Sequence, residues 1–380
     1  MYRGRSEDNR SILHLGKFYP PHSGGIETHV RDLATRQARS ADVSVIVANK
    51  SARRETAAMD GVRVTRLATL GTIASMPICP GLPIAIRKIP ADLVHLHVPN
   101  PGAAAAFLAS GHKGKLVITH HADTLGRESL RRLSDPVVAA AMRRASSIIV
   151  TSSRYLLSSA ELAPYREKCR VIPMGIDTAN HGLTSEKDVR ALHAKYGERL
   201  VLAIGRQVPY KGFDILIRAM RGMDARLLLI GAGPLAEQLA ALVVAEGLEE
   251  QVTMLRRVAD LGPYLAAASV FVLPSITRAE AFGLVQLEAM AAGLPVINTD
   301  IDSGVPEVSV DGETGRTVPP GNVAALAHAM REILDDGNLR RKFGDAARVR
   351  IEAEFNADRM AERTEKLYDE VLSRNSALPN

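Results

Sequence analysis

The stretch RAEAFGLVQLEAMAAGLPVI, Arg278 to Ile297, follows the aliphatic run VFVLPS (270–275), and its reading decides the fold. A loop bearing Glu280 leads through Phe282-Gly283 into an expected helix. That helix finishes at Met290-Ala-Ala, with Gly293 and Pro295 as stop signals. The next apolar run, LPVINT (294–299), starts at once. Strand, acid-bearing loop, helix and strand form the repeating unit of a parallel sheet with helical crossovers. Two carboxylates, Glu280 before the helix and Glu288 inside it, flank the helix start.

The same alternation extends in both directions. SILHLG (11–16), DVSVIVA (42–48), DLVHLHV (92–98), KLVITH (115–120) and SIIVTS (147–152) read as buried strands. The pattern restarts with RLVLAIG (199–205), ARLLLIG (225–231), QVTMLR (251–256), VFVLPS and LPVINT. The expected fold class is therefore α/β, with two Rossmann-like, doubly wound parallel-sheet domains facing across a cleft. A chain of 380 residues suits two domains better than one. The expected division is a disordered tail over 1–10, an N-terminal domain over 11–176 and a C-terminal domain over 177–355. The segment 169–188 connects them, and a last helix over 356–380 returns to the first domain.

Aromatic residues are 4% of the chain and Trp is absent, which argues against a base-stacking nucleic-acid module. The net charge of +6 is uneven: residues 1–175 hold 25 Lys and Arg against 13 Asp and Glu, the remainder 23 against 29. A basic first half suits an anionic surface or substrate. RESLRRLSDPVVAAAMRRAS (127–146), which mixes Arg with aliphatic residues, is a candidate for peripheral contact with an anionic membrane. Cys79 and Cys169 stand alone, as in a reducing compartment, and no apolar run reaches the ~20 residues that cross a bilayer. The expected location is cytoplasmic, peripheral at the inner face of the cell membrane.

In doubly wound sheets ligands gather beyond the carboxyl ends of the strands. There, Arg206 and Lys211 in GRQVPYKGFDIL flank a turn before a helix, a cation pair suited to a diphosphate. The amides of Gly283, Leu284 and Val285 open the helix of the first stretch and favour a phosphate. Glu288 can accept from two neighbouring hydroxyls, as a ribose diol presents them, and Glu280 can do the same for another sugar. In the first half, Gly24-Gly25 follows the first strand with Lys17 upstream, and His120, His121 and Asp123 end another. Those histidines, with His95 and His97, and the pair Asp300 and Asp302 raise a metal reading, but no ligand framework such as HExxH supports one. No metal and no cofactor are expected. GAGP at 231–234 lacks the third glycine of a dinucleotide fingerprint.

GGIE (24–27), GRQVPYKGFD (205–214), GAGP and EAFGLVQLE (280–288) stand in the order found in retaining GT-B glycosyltransferases, which the chain resembles over nearly its whole length. That large bacterial family, family 4, includes mannosyl-, glucosyl- and N-acetylglucosaminyltransferases. The resemblance implies that Arg206 and Lys211 bind the donor diphosphate and stabilise the leaving group. Glu288 would hold the ribose, and Glu280 the transferred sugar, aided by the Gly283 and Leu284 amides. Gly25 resembles the glycine that meets the donor phosphate. His121, two residues after Thr119, resembles the active-site histidine; His120 and Asp123 are candidate acceptor-side groups. IPMGID (172–177) carries Met174 where the family usually has Asn.

The implied activity is metal-independent hexosyl transfer from a UDP- or GDP-sugar to a hydroxyl of a glycan or lipid-linked acceptor. Cell-surface polysaccharide or glycoconjugate synthesis is the implied setting, without a nucleic-acid partner. The same fold also serves phosphorylases and nucleotide-sugar epimerases, and a non-catalytic nucleotide-sugar-binding protein is a further alternative.

Overall fold

The computed structural model describes residues 10–22, 24–73, 76–123, 128–178 and 184–373, the side chains of 128–131 and 133 excepted. The expected tail, apart from Arg10, lies outside the described residues, as do 179–183 in the connecting segment and 374–380 at the end. The chain divides into two compact units, 1–175 with 357–380, and 176–356.

The first unit contains β1 (Ser11–Leu15), β2 (Asp42–Ala48), β3 (Glu55–Met59), β4 (Val62–Leu67), β5 (Thr72–Ile73), β6 (Met76–Pro77), β7 (Leu93–Val98), β8 (Lys115–His120), β9 (Ser147–Val150) and β10 (Cys169–Val171). Its helices are α1 (Gly25–Gln37), α2 (Leu82–Lys88), α3 (Pro101–Ser110), α4 (Glu128–Arg144) and α5 (Ser153–Ser158). Eight strands form one sheet in the order β10-β9-β8-β7-β1-β2-β4-β3, and β5 pairs with β6. All neighbours in the large sheet run parallel except β3, which is antiparallel to β4. β1, β7 and β9 are buried at every position, as parallel strands covered on both faces must be.

The second unit contains β11 (Leu200–Ile204), β12 (Arg226–Ile230), β13 (Val252–Leu255), β14 (Val270–Val272), β15 (Val296–Thr299) and β16 (Gly315–Val318). Its helices are α6 (Glu186–Tyr196), α7 (Phe213–Ala219), α8 (Ala236–Ala245), α9 (Gly262–Ala267), α10 (Leu284–Ala291), α11 (Val305–Val308), α12 (Val323–Asp335) and α13 (Gly337–Glu354). The sheet is wholly parallel, in the order β13-β12-β11-β14-β15-β16. Its core joins Val201, Leu227 and Val270 of the strands to Phe213, Leu216 and Ile217 of α7 and Met330 and Ile333 of α12.

α14 (Ala357–Ser373) belongs to the first unit. Met360, Thr364, Leu367, Tyr368 and Val371 recur on one helical face and are buried. All but Thr364 join a core with Val30 and Leu33 of α1 and strand residues such as Val45 and Leu93. Asp358 at the rim accepts from Arg36 Nε at 2.9 Å and Arg39 at 3.1 Å.

Several elements depart from the expected pattern: β3, β4, β5, β6, β10 and β16 are not among the expected strands, and α10 starts later than expected. β3, ETAAM, is mostly exposed and lacks the run of large aliphatic residues that marks a buried strand. β10 occupies the start of the segment expected to connect the domains, because residues 169–171 pair parallel with β9. The helix expected to begin at Phe282-Gly283 begins at Leu284, since Gly283 has φ 74° and cannot sit in a right-handed turn. Among the described residues no helix is long and apolar enough to cross a membrane.

Candidate functional site

In the second sheet, crossovers run outward in one direction from β11 and in the other from β14, so the strand order reverses between these neighbours. A reversal of this kind leaves a crevice beyond the carboxyl ends of the two strands. Lys211 lies in the turn Pro209–Lys211 after β11, and Glu280 in the loop after β14. Their side chains meet at the reversal, with Lys211 Nζ 2.5 Å from Glu280 Oε2 and both residues buried. Ser275 Oγ donates to the same carboxylate oxygen at 3.1 Å. Burial, followed by the Glu280 charge, pushes the Tyr210 phenol up to about 12. Arg206 is exposed nearby in sequence, at the start of the same loop.

Close backbone contacts hold that loop. Gly212 has φ 63°, and a Cβ there would fall 2.2 Å from the Pro274 carbonyl oxygen of the partner loop. A Cβ at Gly233 would fall 2.2 Å from the Gln207 carbonyl oxygen. The Gln207 amide donates to Ala232 O at 3.1 Å and its side chain to Gly231 O at 3.1 Å. The glycines of GAGP thus let two protein loops approach each other.

At α10 the helix start has no side-chain cap, and the N–H groups of Leu284 and Val285 have no intrahelical acceptor. Gln286 Nε2 donates to Phe282 O at 2.8 Å and to Val305 O at 3.2 Å. Asn298 Nδ2 in turn donates to Gln286 Oε1 at 3.3 Å and to Ser309 O at 3.1 Å. This buried amide network fixes the helix start. Glu288 is half-buried and four residues beyond Leu284, on the same helix face. Asp300 and Asp302 are exposed and fall in none of the side-chain groups close enough to hold a metal ion among the described residues.

In the first unit, Gly24 and Gly25 are exposed at the N-terminus of α1. The Glu27 carboxylate lies over Gly24, where a Cβ would fall 2.2 Å from Glu27 Oε2. The strand order reverses between β1 and β7, and a pocket there is lined by Lys17, Cys79, Leu82 and Asn100. His120 and His121 face opposite sides of the sheet. His120 Nε2 lies 3.4 Å from Glu161 and 3.9 Å from Asp123, whose Oδ1 accepts from Ser159 at 2.6 Å. His121 Nε2 instead lies 3.1 Å from His97 Nδ1.

Residues 184–350 match the family model for glycosyl transferases group 1, and residues 23–180 match that for glycosyltransferase family 4. D-rhamnosyltransferase WbpZ of Pseudomonas aeruginosa is 33% identical over 269 residues, 70% of this chain and 70% of that protein. The chain is a GT-B glycosyltransferase of the family 4 type. A second relative is a GDP-mannose-dependent monoacylated alpha-(1-6)-phosphatidylinositol monomannoside mannosyltransferase of Corynebacterium glutamicum. It is 30% identical over 387 residues, 93% of this chain and 97% of its own. The fold matches that of Anabaena HepE, whose structure was solved with UDP-glucose, at a TM-score of 0.78 and 22% identity, covering 94% of this chain and 99% of that one.

Buried histidines lie beneath His121 in the transferase's first unit, of which sequence reasoning named His95 and His97 and passed over His14 and His29. His14 on β1, His29 on α1, His95 and His97 on β7, and His121 are all buried. Alternation on β7 puts His95 and His97 on one face, and the register sets His14 opposite His95. The His-x-His spacing was the available signal. Burial lowers His14 to about 4 and His29 to about 3, and holds His95, His97 and His121 well below the ordinary imidazole range. These rings are neutral near pH 7.

The unfolded chain therefore takes up protons as pH falls through about 6.5 while the folded unit does not. The stability conferred by neutral burial is full above that pH and is lost on acidification toward the folded values. Each ring changes stability by up to about 1.4 kcal/mol per pH unit. Several together exceed an ordinary domain's stability within about two units. In urea, pulse-labelling hydrogen exchange will show peptides from 11–175 losing protection at much lower denaturant at about pH 5 than at about pH 7.5. Peptides from 200–350 will shift far less; an equal shift in both would contradict the burial of neutral histidines.

Proposed function

We propose that the transferase is a retaining, metal-independent hexosyltransferase. It takes its sugar from a UDP- or GDP-sugar and passes it to a hydroxyl of a glycan or lipid-linked acceptor in cell-surface polysaccharide or glycoconjugate synthesis. The observation that carries the reading is the buried Lys211–Glu280 pair at the strand-order reversal, beside the amides that open α10. A diphosphate offers Lys211 a more highly charged partner than one carboxylate and takes up the α10 amides as well. Glu280, released from Lys211, then accepts from the hydroxyls of the hexose. Arg206 adds a second cation to the diphosphate, and Glu288 accepts both ribose hydroxyls.

In the reaction the bond from the anomeric carbon to the phosphate oxygen breaks, with its electron pair and the developing charge carried by the diphosphate. Lys211 and Arg206 stabilise that charge. The acceptor oxygen bonds to the same face of the anomeric carbon, and its proton passes to a leaving-phosphate oxygen. No side chain is assigned as a covalent nucleophile. On the first unit, Gly24 and Gly25 offer an anion-binding helix start, His121 meets a substrate hydroxyl, and His120 with Asp123 serves the acceptor. WbpZ and the Corynebacterium enzyme, one a rhamnosyltransferase and the other GDP-mannose-dependent, support hexosyl transfer. HepE with UDP-glucose supports the alternative base.

With UDP- and GDP-hexoses offered in EDTA, one donor will release its nucleotide in the presence of acceptor, and the product will keep the donor's anomeric configuration. Lys211→Ala will lower turnover by about 10²-fold or more while remaining folded. Inverted product, strict dependence on Mg²⁺ or Mn²⁺, or unchanged turnover in the variant would each overturn the corresponding part of the reading.

The proposed membrane contact rests on the first unit. In the described part of 127–146, Val138, Ala141 and Met142 are buried, so those apolar groups pack inward. Leu70, Ile73 and Ile84 are instead 72%, 61% and 61% exposed, with the exposed Arg87 and Lys88 on α2. Apolar groups next to cations suit an anionic lipid surface. Vesicles rich in anionic lipid will sediment the protein at low salt, and Ile84→Asp will weaken retention; no retention of the wild type would remove the membrane from the account.

A further inference from the structure

Beneath His121 the buried imidazoles form a chain of hydrogen bonds that ends on one amide. His121 Nε2 lies 3.1 Å from His97 Nδ1, and His97 Nε2 lies 3.1 Å from His14 Nδ1. His14 Nε2 then lies 2.8 Å from Gln37 Oε1 at the end of α1. A row of neutral imidazoles can be protonated in either direction, because each ring has one donor and one acceptor nitrogen. The terminal group chooses the direction. An amide oxygen only accepts, so His14 carries its proton on Nε2 and its Nδ1 accepts. His97 must then donate from Nε2 and accept at Nδ1, and His121 must donate from Nε2.

We propose that Gln37 is a positioning residue that acts through His14 and His97 to hold His121 as its Nε2–H tautomer, leaving His121 Nδ1 as a hydrogen-bond acceptor for a substrate hydroxyl. His121 Nδ1 is buried and has no hydrogen-bond partner within the protein, and neither has Gln37 Nε2 at the other end, so the row runs between two unpaired nitrogens and its direction is set by the Gln37 oxygen facing His14. The His29 ring stands edge-on to His121, 4.9 Å between centroids at 80°, and walls the ring that the chain orients. Burial, the largest influence on each ring, keeps the row neutral, as transmission of one tautomer requires.

His95 lies beside the row but is set independently. Its Nε2 is 2.6 Å from Thr119 Oγ1, and its Nδ1 bonds the Tyr368 hydroxyl at 2.5 Å. It is therefore an internal reference for an intact fold. Only the substrate hydroxyl in this inference rests on the glycosyl-transfer reading; the tautomer does not.

The test is long-range ¹H–¹⁵N correlation of the histidine rings in the full chain at about pH 7.5, on the wild type and on Gln37→Met. In the wild type, His14, His97 and His121 will all show the neutral Nε2–H signature. In Gln37→Met, His121 will become a mixture of tautomers while His95 keeps its signature, and kcat for transfer will fall more than KM for the donor rises. A wild-type His121 that is charged or protonated at Nδ1 overturns the proposal, as does an unchanged His121 in a Gln37→Met protein whose His95 signal is intact. Expected tautomers in a protein that transfers no sugar would leave Gln37's role standing and remove the proposed reaction instead.

Discussion

The candidate site of the second unit is organised around one interaction, the buried ion pair between Lys211 and Glu280. Taking both charges from water is costly, and removing either one leaves its partner buried and uncompensated, at roughly 3–5 kcal/mol. The pair therefore ties the loop after β11 to the loop after β14 where the strand order reverses. Other constraints follow from bringing those loops together. Gly212 must pass against the Pro274 carbonyl, and Gly233 against the Gln207 carbonyl. Gln286 and Asn298 then hold the backbone before α10 so that its first amides open at the same strand ends. On the proposed reading, Lys211 exchanges one anionic partner for another when the donor diphosphate binds.

The first unit meets a similar constraint with neutral groups. His14, His95 and His97 occupy strand positions that would ordinarily be aliphatic, with His121 just past β8 and His29 on α1 packed against them, and burial keeps the five rings uncharged. A hydrogen-bonded row satisfies most of their nitrogens, and α14 closes over it through Tyr368. Polar burial of this kind costs stability unless each group is paired. His29, with neither nitrogen bonded, and His121 Nδ1 are the exceptions. Unpaired polar atoms beneath a strand end are more easily understood as parts of a working site than of a core.

The fold class was legible because buried parallel strands are written as aliphatic runs: DVSVIVA and KLVITH mark β2 and β8 at the residues where they occur. β3 was hidden by its small residues and exposed edge position, and β10 by the Pro and Gly of the segment that follows it. At the site, residue types and loop positions pointed to Lys211, Glu280 and the α10 amides. That Lys211 and Glu280 neutralise each other was not readable, because it depends on β11 and β14 being neighbours despite their separation in sequence. The glycines of GAGP looked like a fragment of a nucleotide motif and proved to serve loop packing. The histidine row was visible only as His-x-His on one strand; His14, His29 and Gln37 join it through the sheet register and the packing of α1.

The central claim is that the Lys211–Glu280 site holds a nucleoside diphosphate without a metal. Calorimetric titration of UDP and of GDP into the full chain, each with and without EDTA, tests it directly when repeated on Lys211→Ala. The account predicts that one of the two nucleotides binds equally well in EDTA and that the variant binds it at least about 10-fold more weakly, as expected for loss of a charge-assisted contact. Binding of neither nucleotide, binding abolished by EDTA, or equal affinity in a folded Lys211→Ala protein would contradict it.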